Sequence, residues 1–500
     1  MRGMVGRRTF LSGGLALAAT SALADAPLTA LRPAARPAQV MRPQARPDSI
    51  LPPGAAELVA RSGLSGDVSI ALADARTGEM LDAVTPTLSV PPASVMKSFT
   101  AFYAREVLGQ DHRFVTRLIG TGPVVDGRLE GDLVLAGGGD PVLLTDDLAA
   151  LAHDLREAGV REVAGRFLVW GGALPYLREI DPDQLPQQGY NPAVGGLNLN
   201  FNRVCFEWTR QGGEWRTTMD ARSDTRRPVV GMAKMTIIDR AGPVYTYDDS
   251  GAREEWTVAR RALGEGGLRW LPVRRPSIYA ADVFRTLACT EGVDLPEAAE
   301  VDHLPAGEEL AHHDSAPLDA IATDMLDYST NITAEVLGLA ATQALGADPA
   351  TLPQSAAMMR RWLRGRLGVA PRPVDHSGLG EGSLVSASEM LAALVGAGHG
   401  DFPALLKNIP MVDDEGQRLP APPGVVRAKT GTLDFVSSLS GFLVTNRGRR
   451  LAFAIFTADP ERRAGARASS EENPPGTIAW NRAARHLQQE VLQAWAVRHG

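Results

Sequence analysis

Apolar and polar positions in the first part of the chain predict two strands followed by a helix. The strands are expected over residues 68–74 and 79–83, on either side of a turn of small and polar residues. The helix is expected to begin at Ser94, because Pro91 and Pro92 suit a helix entry. Apolar residues fall on most sides of this helix, so it is predicted to be buried.

Helical spacing returns after residue 316 and leads into a hairpin and a closing helix. The predicted elements are helices over 318–328, 332–345 and 386–396, hairpin strands over 439–445 and 451–457, and a helix over 478–497. Together with the first part of the chain, they predict an α/β (α+β) domain made of residues 54–113 and 312–500.

Residues 114–311 have a different pattern. Short apolar runs alternate with glycine-rich turns, and one helix is predicted over 147–158. This segment is therefore predicted to form one or more β-rich domains inserted into the first domain.

The amino terminus has the features of an export signal. Arg7 and Arg8 precede an uncharged stretch over 11–23, and small residues around Ala24 suit a cleavage site, so residues 1–24 are predicted as a twin-arginine-type signal. The alternative, a membrane-spanning helix, is disfavoured because the apolar run is too short. A periplasmic protein without a stable membrane anchor is expected, and the Pro- and Ala-rich residues 25–53 are predicted to be a disordered tether.

Composition narrows the possible partners. The formal net charge is -7 over 500 residues, whereas a phosphate-backbone binder needs a concentrated basic surface, so nucleic acid is not an expected partner. The two cysteines, Cys205 and Cys289, would be free to pair after export, but the sequence decides neither for nor against a disulfide.

Ser94 and Lys97 form the first candidate catalytic pair. Three residues apart on a helix, they share a face, and a buried lysine favours the neutral amine that can take a proton from serine. The Ser-x-x-Lys pattern alone is common by chance. It gains weight because lysine occurs only at positions 97, 234, 407 and 429, among 51 lysines and arginines. A chain that uses arginine almost everywhere is expected to keep lysine where a proton must be lost.

Two further segments carry candidate polar groups. Ser329, Thr330 and Asn331 lie between two predicted helices, where Ser329 could relay a proton and Asn331 could bind an amide, although an ordinary helix cap is the alternative. The second segment is Lys429-Thr430-Gly431-Thr432, a predicted strand before the hairpin. Strand alternation sets Lys429 and Gly431 on one face and both threonines on the other, although a basic strand end before a glycine turn has the same pattern.

Ser-x-x-Lys, Ser-x-Asn and Lys-Thr-Gly in this order are the motifs of penicillin-binding proteins and class A β-lactamases. The chain resembles in particular the class C low-molecular-mass penicillin-binding proteins, which are D-alanyl-D-alanine carboxypeptidases and D,D-endopeptidases. The long interval between Ser94 and Ser329 agrees with the domains that this family carries there. Further matches lie at residues 131–133, 137–141, 198–202 and 375–379.

The resemblance implies a serine β-lactamase/transpeptidase-like fold and acyl transfer without a metal or organic cofactor. Ser94 would be the nucleophile, Lys97 its base and Ser329 the proton relay to the leaving amine. Asn331 would bind the substrate amide, and Lys429, Thr430 and Thr432 the terminal carboxylate, with Gly431 allowing close approach. The implied partners are peptidoglycan stem peptides, either ending in D-Ala-D-Ala or cross-linked, and β-lactam antibiotics as inhibitors.

The chain departs from the family at two positions. His376 stands where glycine is usual. It could line the substrate groove, but a solvent-facing ring in a turn is expected. Thr432 replaces a frequent serine and keeps the hydroxyl. A β-lactamase is the enzymatic alternative, but no Glu-x-x-Leu-Asn run lies between Lys97 and Ser329 to supply a deacylating carboxylate. The non-enzymatic alternative is a wall-binding protein without catalysis, and an intact Ser94–Lys97 pair disfavours it.

Overall fold

The computed structural model describes residues 51–397, 400–468 and 471–500, so the predicted signal and most of the predicted tether lie outside the described residues. The helices are α1 (Ala55–Ser62), α2 (Met96–Leu108), α3 (Thr145–Glu157), α4 (Pro276–Thr290), α5 (Leu318–Tyr328), α6 (Asn331–Ala344), α7 (Leu352–Leu367), α8 (Ala387–Ala397), α9 (Phe402–Leu405), α10 (Pro460–Arg467) and α11 (Thr477–Arg498). In these ranges no helix is long and apolar enough to cross a bilayer.

The strands are short in the middle of the chain and long near its end. They are β1 (Asp67–Asp74), β2 (Met80–Val84), β3 (Ser89–Val90), β4 (Val115–Gly120), β5 (Val124–Val125), β6 (Arg128–Leu129), β7 (Leu133–Ala136), β8 (Glu162–Val163), β9 (Phe167–Trp170), β10 (Arg203–Gln211), β11 (Glu214–Asp220), β12 (Ala233–Ile238), β13 (Tyr245–Asp248), β14 (Glu254–Ala259), β15 (Gly266–Pro272), β16 (Ala298–Glu300), β17 (Glu308–Asp314), β18 (Val385–Ser386), β19 (Lys407–Ile409), β20 (Gly424–Leu433), β21 (Val436–Thr445) and β22 (Arg450–Ala458).

A six-stranded antiparallel sheet organises the region that carries the motifs. Its strand order is β19-β20-β21-β22-β1-β2, and β21 with β22 forms the predicted hairpin. Alternation along β1 sends Ile70 toward a core shared with α1 and α11, while Ala71 joins a core shared with α2, α6 and α8. The sheet is therefore covered by helices on both faces.

Helix α2 lies at the centre of the helical layer. Nine consecutive residues from Met96 to Ala104 are buried, as the apolar pattern predicted. The helix packs against α5, α6 and α7, which cover these nine residues. Its first turn is a 3₁₀ turn, Ala93–Val95, which contacts β20 and β21. This contact brings the Ser94 segment against the predicted substrate strand.

The middle of the chain builds a second core of its own. A five-stranded sheet, ordered β16-β9-β7-β4-β17, and three three-stranded sheets, ordered β11-β10-β15, β12-β14-β13 and β5-β6-β8, pack with α3 and α4. Helix α4 was not predicted. Val115 pairs with Asp314 at the ends of β4 and β17, so both ends of this segment lie side by side, which suits an insertion. The boundaries at 114 and 311 stay a prediction. Cys205 is buried, Cys289 is exposed and both are free.

Candidate active site

Ser94 and Lys97 lie where the 3₁₀ turn passes into α2. The Lys97 Nζ is 2.9 Å from the Ser94 Oγ, as the three-residue spacing predicted. Ser94 is half-buried, whereas Lys97 is fully buried. A hydroxyl that solvent can reach is thus paired with an amine that it cannot.

Two fixed acceptors hold the Lys97 amine from the other side. Its Nζ donates to the Asn331 Oδ1 at 2.7 Å and to the Ser377 carbonyl oxygen at 2.9 Å. A neutral amine has two N–H groups and one lone pair. With both N–H groups on these acceptors, the lone pair is left for the Ser94 hydroxyl proton. The geometry therefore suits a general base.

The surroundings of Lys97 favour that neutral form. Burial lowers the pKa of Lys97 to about 7, and the charge of Lys429 acts in the same direction. The carboxyl groups of Glu335 and Asp375 act in the opposite direction and raise the pKa of Lys97. The net effect places the amine near the protonation midpoint at neutral pH.

Ser329 and Thr330 connect α5 to α6 where a loop was predicted, and Asn331 is the first residue of α6. Ser329 ends α5 in the left-handed conformation, with φ of 61°, a backbone state that costs a serine about 1–3 kcal/mol. The Asn331 amide group donates to the Tyr190 carbonyl oxygen at 2.9 Å and accepts from Lys97. Thr330, not Asn331, occupies the cap position of α6. The capping alternative for Asn331 is therefore wrong.

Lys429 reaches the same loop from β20. Its Nζ donates to the Ser329 Oγ and to the Thr430 carbonyl oxygen, both at 2.9 Å. Burial lowers the pKa of Lys429 to about 8, and the charge of Lys407 contributes in the same direction. Ser329 thus lies next to a buried cation.

Strand β20 offers an open edge beside Ser94. Strand β19 pairs only with residues 426–428 of β20, and in the described part of the chain no strand continues this pairing beyond Ala428. Gly431 packs on the chain itself, because a Cβ there would lie 2.7 Å from the Pro92 carbonyl oxygen. Thr430 and Thr432 are exposed, on the face opposite Lys429 and Gly431, as alternation predicted.

A cavity of about 500 Å³ opens in front of these groups. Ser94, Ser329, Asn331 and Thr432 are among the residues that line it. Its lining also includes charged residues from distant segments, among them Asp183, Arg463, Arg467 and Glu472. No local motif marks these residues, so the sequence did not predict them. In the described ranges no group of His, Cys, Asp and Glu side chains is arranged to hold a metal ion.

Two buried carboxyl groups behind Lys97 also escaped prediction. Glu335 accepts from the backbone N–H groups of His376 and Ser377, both at 2.9 Å. Asp375 accepts from the N–H groups of Gly378 and Gly380 at 2.8 and 2.6 Å. Burial raises the pKa of both carboxyl groups, that of Glu335 to about 8. Their hydrogen bonds fix the turn of residues 375–380, in which the Ser377 carbonyl oxygen accepts from Lys97.

The solvent-facing ring expected for His376 is wrong. The side chain is fully buried, and its Nε2 is 2.8 Å from the Ser355 Oγ. Burial lowers the pKa of His376 to about 3, so the ring is neutral. The turn that contains it is covered by α6 and α7, which the local sequence does not reveal.

The fold and the site together define a serine enzyme of the acyl-transfer class, with a hydroxyl, a buried amine and an open strand edge around one cavity. Residues 55–473 match the model of the D-Ala-D-Ala carboxypeptidase 3 (S13) family. The chain belongs to this family. The predicted resemblance to the class C low-molecular-mass penicillin-binding proteins is confirmed, as is the serine peptidase class.

Relatives and solved structures agree with this assignment. The chain is 29% identical over 435 residues to a D-alanyl-D-alanine carboxypeptidase from Actinomadura sp., covering 78% of each chain. It is 26% identical to the D-alanyl-D-alanine carboxypeptidase DacB of Haemophilus influenzae, covering 73% of this chain and 79% of the relative. The crystal structure of penicillin binding protein 4 from the same organism aligns with a TM-score of 0.69 at 19% identity, covering 88% of this chain and 99% of that one. The predicted fold class is thereby confirmed.

Proposed function

We propose that this protein hydrolyses D-alanyl-D-alanine bonds in peptidoglycan peptides through an acyl group on Ser94. Family membership supports the reaction class, and the relatives named as D-alanyl-D-alanine carboxypeptidases support the substrate. The bond cut is the terminal one in a carboxypeptidase reaction and the cross-link in a D,D-endopeptidase reaction. The observation that carries the proposal is the 2.9 Å contact between the Ser94 Oγ and the Lys97 Nζ. The amine also donates to the Asn331 Oδ1 and to the Ser377 carbonyl oxygen, which hold it in place.

In the acylation step, Lys97 takes the Ser94 proton while the Ser94 Oγ bonds to the carbonyl carbon of a D-alanine residue. The charge that develops on the carbonyl oxygen is stabilised by the backbone N–H groups of Ser94 and Thr432, at a helix entry and a strand edge. As the peptide bond breaks, Ser329 relays the proton from Lys97 to the leaving amine, which leaves Lys97 neutral again. The contact of Ser329 with the Lys429 amine supports this role.

The remaining site residues bind the substrate in this proposal. Asn331 holds a substrate amide, Lys429 with Thr430 and Thr432 holds the terminal carboxylate, and Gly431 keeps β20 close to Ser94. Water then attacks the acyl-serine and releases the shortened peptide. A β-lactam resembles the substrate's reacting amide, so it acylates the same serine and blocks the enzyme.

A fluorescent penicillin tests the acyl-serine directly. We expect a lasting label on the wild-type protein and none on Ser94→Ala. The matched control is Ser98→Ala, one turn further along the buried face of α2, which keeps the label. A label lost within seconds would instead indicate a β-lactamase. An unlabelled wild-type protein would leave a wall-binding protein without catalysis as the alternative.

We also propose that the protein is exported to the periplasm by the twin-arginine route. Arg7 and Arg8 before the apolar stretch support the route, and a peptidoglycan substrate requires export. Cell fractionation with an Arg7→Lys, Arg8→Lys variant tests it, since the variant should stay in the cytoplasm.

We further propose that residues 114–311 form an inserted module. The pairing of Val115 with Asp314 at its two ends supports the module, whose excised fragment should fold alone.

A further inference from the structure

His376 is a buried polar residue that the proposed reaction does not use. Its ring lies directly over Gly338 of α6, because a Cβ on that glycine would lie 2.1 Å from the His376 Cγ. The ring is also nearly parallel to the ring of Tyr103 in α2, with centroids 6.5 Å apart and an interplanar angle of 11°. The two positions fit each other: only a residue without a side chain leaves room for this imidazole.

A chain of neutral hydrogen bonds ties the ring to the helices around Lys97. The His376 Nε2 is 2.8 Å from the Ser355 Oγ of α7, which is 2.7 Å from the Thr342 Oγ1 of α6. Thr342 in turn is 3.1 Å from the Tyr103 hydroxyl of α2. The His376 Nδ1 has no hydrogen-bond partner among the described residues. Through these hydrogen bonds the neutral His376 ring is linked to α7, α6 and α2 in turn.

The backbone of the same turn is bonded to the catalytic helix. The His376 carbonyl oxygen accepts from the Thr100 Oγ1 at 2.6 Å, and the next carbonyl, that of Ser377, accepts from Lys97. Thr100 and Lys97 are three residues apart on α2, so the two bonds run along one face of the helix. Any movement of the turn therefore changes the position of an acceptor of Lys97.

We propose that His376 is a positioning residue for Lys97: its ring, fitted over Gly338, fixes the turn in which the Ser377 carbonyl receives the Lys97 amine. The link to catalysis rests on the proposed function, but the positioning itself can be measured without activity.

The charged groups that face Lys97 come from three elements: Lys429 from β20, Glu335 from α6 and Asp375 from the turn itself. His376 adds no charge to them. Its removal would open a space next to the turn that water can enter. Since burial is the largest cause of the lowered pKa of Lys97, hydration would raise that pKa toward the value of an exposed lysine.

The chain's four lysines make the test direct, because biosynthetic ¹³C-lysine labelling gives only four side chains to titrate by NMR. Lys97→Arg assigns the Lys97 signal. In His376→Gly we expect the Lys97 midpoint to rise by about half a pH unit or more, while the exposed Lys234 and Lys407 are unchanged. The rate of penicillin acylation at neutral pH should fall about tenfold, because a small misplacement of a catalytic group slows a reaction by this order.

A folded His376→Gly protein with an unchanged Lys97 midpoint would overturn the proposal. If the wild-type protein is not labelled by penicillin, the proposed function is wrong, but the NMR titration still tests whether His376 positions Lys97. The matched control is His312→Gly, at an exposed histidine in β17, which should leave the Lys97 midpoint unchanged. Ser355→Ala leaves the ring in place but removes its hydrogen bond, together with the bonds of the Ser355 hydroxyl to Thr342 and to the Gly338 carbonyl oxygen. It should shift the midpoint in the same direction by less, and it serves where His376→Gly is unstable.

A double-substitution cycle tests the fit between the ring and Gly338. Gly338→Ala should lower the melting temperature and shift the Lys97 midpoint, because its methyl group meets the ring. In the His376→Gly background the same methyl group enters free space, so its effect on both quantities should be much smaller. Strictly additive effects would contradict the proposed contact.

Discussion

Two buried lysines, Lys97 and Lys429, flank the Ser94 and Ser329 hydroxyls, and their surroundings differ. Lys97 contacts Ser94, an amide oxygen and a backbone carbonyl, with two carboxyl groups behind them. Among the described residues, the Lys429 amine donates hydrogen bonds only to the Ser329 hydroxyl and the Thr430 carbonyl oxygen. Burial lowers the pKa of both, to about 7 for Lys97 and about 8 for Lys429.

Because of this difference, one site can hold a base and a cation that are both lysine side chains. Lys97 loses its proton first, and the charge of Lys429 is one reason for it. At a pH between the two values, Lys97 is mostly neutral and Lys429 mostly protonated. Substitutions at each lysine, and changes of pH, should therefore have distinct effects.

The largest effect is expected from Lys97→Arg. Arginine keeps its proton, so it cannot serve as a base, and penicillin acylation should slow by at least about a thousandfold. Stopped-flow labelling measures the rate, and Lys234→Arg, at an exposed strand position, is the control. A rate within tenfold of the wild type would show that Lys97 is not the base.

Lys429→Ala should have the next largest effect, about a hundredfold on hydrolysis of a peptide with a free terminal carboxylate. The Ser329 hydroxyl also loses its contact with the cation. Removal of this charge should raise the pKa of Lys97, because Lys429 now lowers it. A peptide assay and the lysine titration measure the two effects separately. An unchanged Lys97 titration would mean that the two amines do not interact.

The acylation rate should follow a bell-shaped pH profile. Below the pKa of Lys97, about 7, the base is protonated, so the rate should rise about tenfold per pH unit toward that value. Above the pKa of Lys429, about 8, the cation is lost and the rate should fall. Rates of penicillin labelling from about pH 5 to about pH 10 test both limbs. A profile without an acid limb would exclude a titrating base.

The smallest effect is expected from Lys407→Ala. The exposed Lys407 lowers the pKa of Lys429 through its charge alone, so its removal should move the alkaline limb to slightly higher pH. The rate at neutral pH should stay within about twofold of the wild type, because solvent screens exposed charges. The same pH series measures it, and a larger loss would place Lys407 in substrate binding.

The sequence predicted the parts of the site that depend on local spacing. Ser94 and Lys97 meet because residues three apart share a helix face, and Ser329 lies in a loop because two apolar helical patterns stop on either side of it. The alternation of β20 was also predictable, since it follows from the strand period alone.

The groups that complete the site come from segments far apart in the chain. Glu335 faces the 375–380 turn, and the Tyr190 carbonyl reaches Asn331 from the middle of the chain. His376 was wrongly expected at the surface, because a polar residue among glycines has the pattern of an exposed turn. Its burial depends on α6 and α7, which close over it.

Periodicity and spacing act over a few residues, and they were enough to predict the helix that carries Ser94 and Lys97, the order of the motifs and the α/β class of the fold. They could not predict the acceptors that hold Lys97, the carboxyl groups that raise its pKa or the position of His376. Those properties depend on burial and on contacts between distant segments. Only the packed chain fixes which groups lose water and which partners replace it.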